Sequence, residues 1–195
     1  MLERWAVGVV LCGLLLGGTL FAQQNSMEKS QQSTLSSADR SFITNAAEAN
    51  LAEIDAAKLV DQKSTDPAAK DFANRMVKDH TQANQELAAI AKTNGVTVPT
   101  QAGATEQHQI DELQKLSGAK LNDTYLHNEL EGHKQVISEF EQEVEQGQDQ
   151  AVKNYAAQTL PTLQDHIRIA EDVAGKMGMS GKVGLSDEAK AIAVK

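Results

Sequence analysis

Apolar residues recur along this chain at alternating spacings of three and four, in four long stretches. The first stripe is Phe42, Ala46, Ala49, Glu53, Ala56, Val60, and the second is Ala69, Ala73, Met76, His80, Ala83, Leu87, Ile90. The third is Leu126, Leu130, His133, Ile137, Phe140, Val144, and the fourth is Val152, Ala156, Thr159, Leu163, His166, Ala170, Val173, Met177. This spacing puts side chains on one face of a helix. No stretch alternates with period two, so no sheet is expected. The pattern predicts an all-α chain, a four-helix bundle with a long connection between its second and third long helices.

Local signals set the expected boundaries. Ser37 to Asp39 can cap the first helix, which runs to about Lys63. Asp66-Pro67 is an acidic cap with Pro at the first helical position, and it opens a second helix that ends at Asn94-Gly95. The connection between these helices is short, so they are antiparallel neighbours. Val96 to Leu121 forms the long connection, with a short helix expected from Glu106 to Leu116. The third long helix is expected from Asn122 or Asp123 to about Gln146, and the fourth to about Lys176. Pro161 lies inside the fourth and is expected to kink or interrupt it.

The termini read differently. Residues Trp5 to Phe21 are almost wholly apolar and are followed by Gln and Ser, as in a secretory signal over residues 1–22. An uncleaved N-terminal membrane anchor is the alternative, although the apolar run is at the short limit for a span. Residues 23–37, rich in Gln and Ser, read as a disordered spacer. The bundle is expected over 38–177 and a flexible tail over 178–195, with a weak helical stretch from Ser186 to Val194. These features place the protein in the periplasm or outside the cell.

Composition narrows the chemistry. The one cysteine, Cys12, lies inside the export segment, so a processed chain has neither disulfides nor thiolate ligands. A net charge of −9 argues against nucleic acid and anionic membrane surfaces as partners. No glycine-rich phosphate loop, nucleophile elbow or hydrolytic triad is present.

One ionisable residue interrupts the middle of each stripe: Glu53, His80, His133 and His166. Polar groups in a core are costly unless paired. On the helical rise all four fall within about two turns of one level in either bundle topology. One reading is a metal site of one carboxylate and three imidazoles, suited to a transition metal such as Zn, Cu or Fe. A second is a hydrogen-bonded layer that fixes helix register in a structural or stress-response module with an envelope protein partner. A third is a proton-sensitive core. Glu53 sits toward the edge of its stripe, and Glu129, one turn before His133, is a substitute carboxylate. The residues three before the core histidines are Val77, Leu130 and Leu163, so the Glu-x-x-His pairs of di-iron bundles are absent and iron oxidation is not expected. His108 and His127 lie off the stripes. Tyr125 and Tyr155 are expected to pack with hydrogen-bonded hydroxyls. Asp79 and Asp165 each precede a core histidine but point away from it, and are expected to cap, pair or face water.

Several local elements resemble a known family. They are Ala52-Glu53-Ile54, Phe72-Ala73, Met76-Val77-Lys78-Asp79-His80, Leu116-Ser117-Gly118, Asp123-Thr124-Tyr125 with His133, and Thr159-Leu160-Pro161 with Leu163 and His166. Together they resemble a family of exported bacterial proteins classed as a domain of unknown function and grouped with ferritin-like bundles. The resemblance spans about Ser41 to Val173. It departs at Asn122-Asp123, where the family usually has Phe-Asp. It implies a ferritin-like fold and residence in the envelope, with no assigned reaction. The family's recurrent polar positions fall on Glu53, His80, His133 and His166.

Overall fold

The computed structural model describes residues 35–179. The expected export signal, most of the spacer and the tail beyond Met179 lie outside the described residues. Five helices follow one another: α1 (Ser37–Lys63), α2 (Pro67–Thr93), α3 (Ala104–Gln114), α4 (Gly118–Gln146) and α5 (Gln150–Lys176). Among the described residues there is no strand, and no helix is long and apolar enough to cross a membrane.

The caps explain the boundaries. Ser36 and Asp39 form a capping box at α1, the Ser36 hydroxyl accepting from the Asp39 N–H at 3.0 Å and Asp39 accepting from the Ser36 N–H at 3.2 Å. Asp66 caps α2 ahead of Pro67, and Asp149 accepts from the N–H groups of Ala151 and Val152 to start α5. Gly95 closes α2 at φ 65°, a left-handed conformation open to glycine, with the Val96 N–H reaching back to the Ala91 carbonyl.

Packing gives the topology. Residues of the α1–α2 turn region, such as Val60, Ala69 and Phe72, pack with Leu121, Tyr125 and Leu126 at the start of α4 and with Val173 at the end of α5. At the opposite end Phe42 packs with Leu87, Phe140 and Val152. The α4 helix therefore enters at the α1–α2 turn and runs parallel to α2. The return from the end of α2 is made by the segment carrying α3, which packs Leu113 beside α1 and α4. One long crossover between two antiparallel pairs is the ferritin-like arrangement.

Three expectations change. The α4 helix begins at Gly118, not at Asn122 or Asp123, because Leu121 is fully buried and extends the apolar stripe by one turn. The short helix is shifted to Ala104–Gln114. Pro161 does not interrupt α5. Both Pro161 and Ala157, whose carbonyl the proline leaves unpaired, are exposed, so water can take the freed acceptor. Leu35 and Met179, which flank the helices, are both buried in the core.

A buried carboxylate pair fastens the end of the bundle away from the α1–α2 turn. Asp39 accepts from the Gln148 N–H in the α4–α5 turn at 2.9 Å, and Glu143 lies beside it. Burial, then the neighbouring Asp39 charge, pushes Glu143 up to about 7. A carboxyl raised in the fold above its value of 4.5 in the unfolded chain stabilises most when protonated, so this contribution fades as pH rises from 4.5 to about 7. Replacing Glu143 by Gln keeps the site neutral at every pH. The variant's advantage over the wild type in urea unfolding should grow by about 2 kcal/mol between pH 5 and pH 8. A constant difference across that range would show that Glu143 titrates normally.

Candidate metal centre

The stripes converge on a polar layer between the two apolar clusters. The rings of His80, His133 and His166 stand with centroids 5.2–5.6 Å apart, and each residue is at most 5% exposed. One nitrogen from each ring lies within 4.8 Å of the other two.

Each ring is held from outside. His80 Nδ1 donates to Asn50 Oδ1 at 2.8 Å, and Asn50 in turn donates to the Tyr155 hydroxyl at 3.2 Å. His133 Nδ1 donates to the Glu129 backbone carbonyl at 3.0 Å. His166 Nε2 donates to Asp79 Oδ2 at 3.1 Å. Asp79 also pairs with Arg75, which reaches Asp165 at 3.5 Å. Burial tends to raise Asp79, but hydrogen bonds from Arg75 and His166 outweigh it and hold the carboxyl below its usual range.

The inner nitrogens are a different case. His133 Nε2 and His166 Nδ1 face each other at 3.1 Å, and His80 Nε2 has no partner. Burial lowers the pKa of all three histidines, and their mutual repulsion adds to this for His80 and His133. Near neutral pH the rings are uncharged. A neutral imidazole carries one proton, and every outer nitrogen already needs it to donate. Three lone pairs are therefore left facing inward.

Glu53 stands apart from this triad. Its carboxylate is 3.9 Å from His133 Nδ1, on the outer side of that ring, where Glu129 Oε2 also lies at 3.5 Å. Glu53, Glu129 and His133 make a second cluster, again with one atom from each within 4.8 Å of the others. Burial, then the charge of Glu53, raises Glu129 well above the usual carboxylate range. Glu53 and Glu129 form part of the wall of a cleft of about 550 Å³ between α1, α3 and α4. His108 and His127 are exposed and take no part.

Two members of the layer were not expected from the sequence. Asp79 points away from His80, as adjacency on a helix requires, but it meets His166 on α5 instead. Asn50 is 5% exposed and lies one turn from both Ala46 and Glu53, a spacing that would have flagged it. Tyr155 has the expected hydrogen-bonded hydroxyl, while Tyr125 packs against Phe72.

Three comparisons bear on the chain. The family model for a domain of unknown function, DUF4142, matches residues 24–173. A DUF305 protein of Streptomyces coelicolor, described as secreted, has a similar crystal structure with TM-score 0.63 at 15% identity, covering 72% of this chain and 94% of that one. A DUF305 fragment from Deinococcus radiodurans is similar with TM-score 0.66 at 13% identity, covering 73% and 98%. At such identities the likeness is one of fold. No curated protein matches the sequence.

The layer has a pH signature. Histidines whose pKa is lowered by folding keep their stabilising effect above the unfolded value of 6.5, and lose it as pH falls. Each contributes a slope of up to about 1.4 kcal/mol per pH unit below that point. The metal-free protein should therefore weaken between pH 6.5 and pH 5, and a His80→Gln variant should weaken less steeply. Identical slopes in chemical denaturation would mean that His80 is protonated within the fold.

Proposed function

The chain belongs to the DUF4142 family, and from that premise we propose that it is an exported protein that binds a transition metal ion in the bundle core through His80, His133 and His166. The observation that carries this reading is the direction of the protons. Three neutral rings give their N–H groups to Asn50, the Glu129 carbonyl and Asp79, so three lone pairs converge, that of His80 Nε2 without a partner and those of His133 and His166 with only each other. Histidine ligands are oriented in this way in metal sites, each donating its other N–H to a carbonyl or carboxylate. Tetrahedral zinc with Zn–N bonds of 2.0–2.1 Å separates its ligand nitrogens by about 3.3 Å. The 3.1 Å between His133 and His166 is near that value, and a modest closure would bring His80 into the set.

Imidazole ligands suit Zn, Cu and Fe. Glu53 is a nearby carboxylate that does not share the triad's inner face. Export is supported by the apolar segment from Trp5 to Phe21 and by the description of the Streptomyces coelicolor relative as secreted. The competing reading is a layer that only fixes register in a non-catalytic envelope module that binds a protein partner. The complete set of outer hydrogen bonds favours that reading as much as it favours ligation, and only the inner lone pairs separate the two.

Elemental analysis by inductively coupled plasma mass spectrometry decides between them. Residues 23–195, purified without a metal-binding tag, should carry close to one equivalent of Zn, Cu or Fe, and a His80→Ala/His133→Ala variant should carry none. Chelation should lower the melting temperature of the native protein and leave the variant unchanged. No metal in either protein after incubation with Zn, Cu, Fe and Mn salts would leave the register layer as the role of the histidines.

A further inference from the structure

The cleft between α1, α3 and α4 leads to a different kind of site. Its lining includes Glu48, Glu53, Glu106, Glu129 and Glu139 and contains no lysine, arginine or histidine. At its mouth the Glu48 and Glu106 carboxylates converge beside Gly103, both within 3.3 Å of where a β-carbon on that glycine would stand. At its floor Glu129 is only 4% exposed, and its Oε2 has no hydrogen-bond partner. The His133 Nδ1–H is given to the backbone carbonyl of Glu129 itself at 3.0 Å and lies 3.5 Å from that oxygen, while the buried Tyr125 hydroxyl and Glu53 flank the same carboxyl. The side chain of Glu53 is 19% exposed and brings a second carboxylate to the same spot. Two buried carboxylates this close are both charged only with a cation between them.

We propose that Glu53 and Glu129 hold a hard divalent cation of the Mn²⁺, Mg²⁺ or Ca²⁺ class at the floor of this cleft, in a site separate from the imidazole triad. Two carboxylates supply up to four oxygens, and water in the open cleft completes the shell, as these cations prefer. The cleft is large enough to admit a hydrated ion, and its unbalanced acidic lining favours entry. His133 does not ligate here. Its Nδ1–H is committed to a carbonyl, and its ring forms the wall between the oxygen site and the nitrogen site. The proposal rests on oxygen atoms that the triad does not use and stands whether or not the triad binds metal.

The test titrates metal-free residues 23–195 with Mn²⁺, followed by electron paramagnetic resonance and calorimetry, with circular dichroism checking the fold of every variant. The wild type should take up one Mn²⁺. His80→Ala/His166→Ala, which dismantles the triad, should bind it equally well. Glu53→Gln/Glu129→Gln should bind it roughly tenfold or more weakly, while still taking Zn²⁺ if the triad is a metal site. Should the double variant fail to fold, Glu53→Gln alone, at the more exposed position, must show the loss. The proposal is overturned if the wild type takes up no Mn²⁺, or if uptake survives loss of both carboxylates. It is equally overturned if uptake disappears with the histidines, or if Glu48→Gln/Glu106→Gln abolishes it while Glu53→Gln/Glu129→Gln does not.

Discussion

Everything in the middle of this bundle depends on where three histidine protons go. An unsatisfied buried polar group costs about 1–3 kcal/mol, and the layer buries three imidazoles and an asparagine together. The cost is met on the outside of the rings. Asn50 on α1 takes the proton of His80 on α2, Asp79 on α2 takes that of His166 on α5, and α4 serves His133 from its own backbone. These bonds tie α1 to α2 and α2 to α5 at one level, so a one-residue slip of any partner would orphan a buried group. The apolar clusters on either side supply most of the burial, but apolar contacts are non-directional. Register is set by the layer between them.

The two flanks of the layer differ in electrostatic character. Toward α2 and α5 the chain of contacts runs His166, Asp79, Arg75, Asp165, and it ends in a carboxylate near the surface. Each charge on that side has an opposite neighbour. Toward α1, α3 and α4 the layer meets Glu53 and Glu129 and then an acidic cleft without a compensating cation. A neutral core flanked by one balanced face and one unbalanced face attracts cations from a single direction. Gly132 belongs to the unbalanced face. A glycine inside a helix costs roughly 1 kcal/mol relative to alanine, and a β-carbon there would meet nothing within 4 Å. Packing does not demand its small size. Its bareness leaves the cleft open beside Glu129.

The helices and the three histidines were legible in the sequence because both depend on one periodicity. Residues on one face of one helix can be found by counting, and His80, His133 and His166 interrupt stripes that are otherwise apolar. What could not be counted was contact between helices. Asp79 cannot reach His80 on its own helix; its partner is 87 residues away on α5. The division of Glu53 from the triad was hidden for the same reason. Position on a stripe places a side chain at a level, but not on one side or the other of a ring contributed by another helix. The start of α4 and the continuity of α5 through Pro161 depart from the local signals at a helix end and at a breaker. There, tertiary burial of Leu121 and solvent access to Ala157 overrode the local propensity.

The same geometry explains why an ion at the triad need not disturb the fold. A ligand set assembled from flexible side chains loses rotamer freedom when metal arrives, typically about 0.5–1.5 kcal/mol for each one immobilised. Here the rings are already fixed by their outer hydrogen bonds, and the repulsion between inward lone pairs is present before any ion binds. A cation would replace that repulsion with attraction and leave the outer bonds intact. Protons compete for the same three nitrogens, but each would place a full charge in a buried site beside two other rings. The low proton affinity of the layer and its suitability for a metal thus have one origin, burial of lone pairs whose outer protons are already committed.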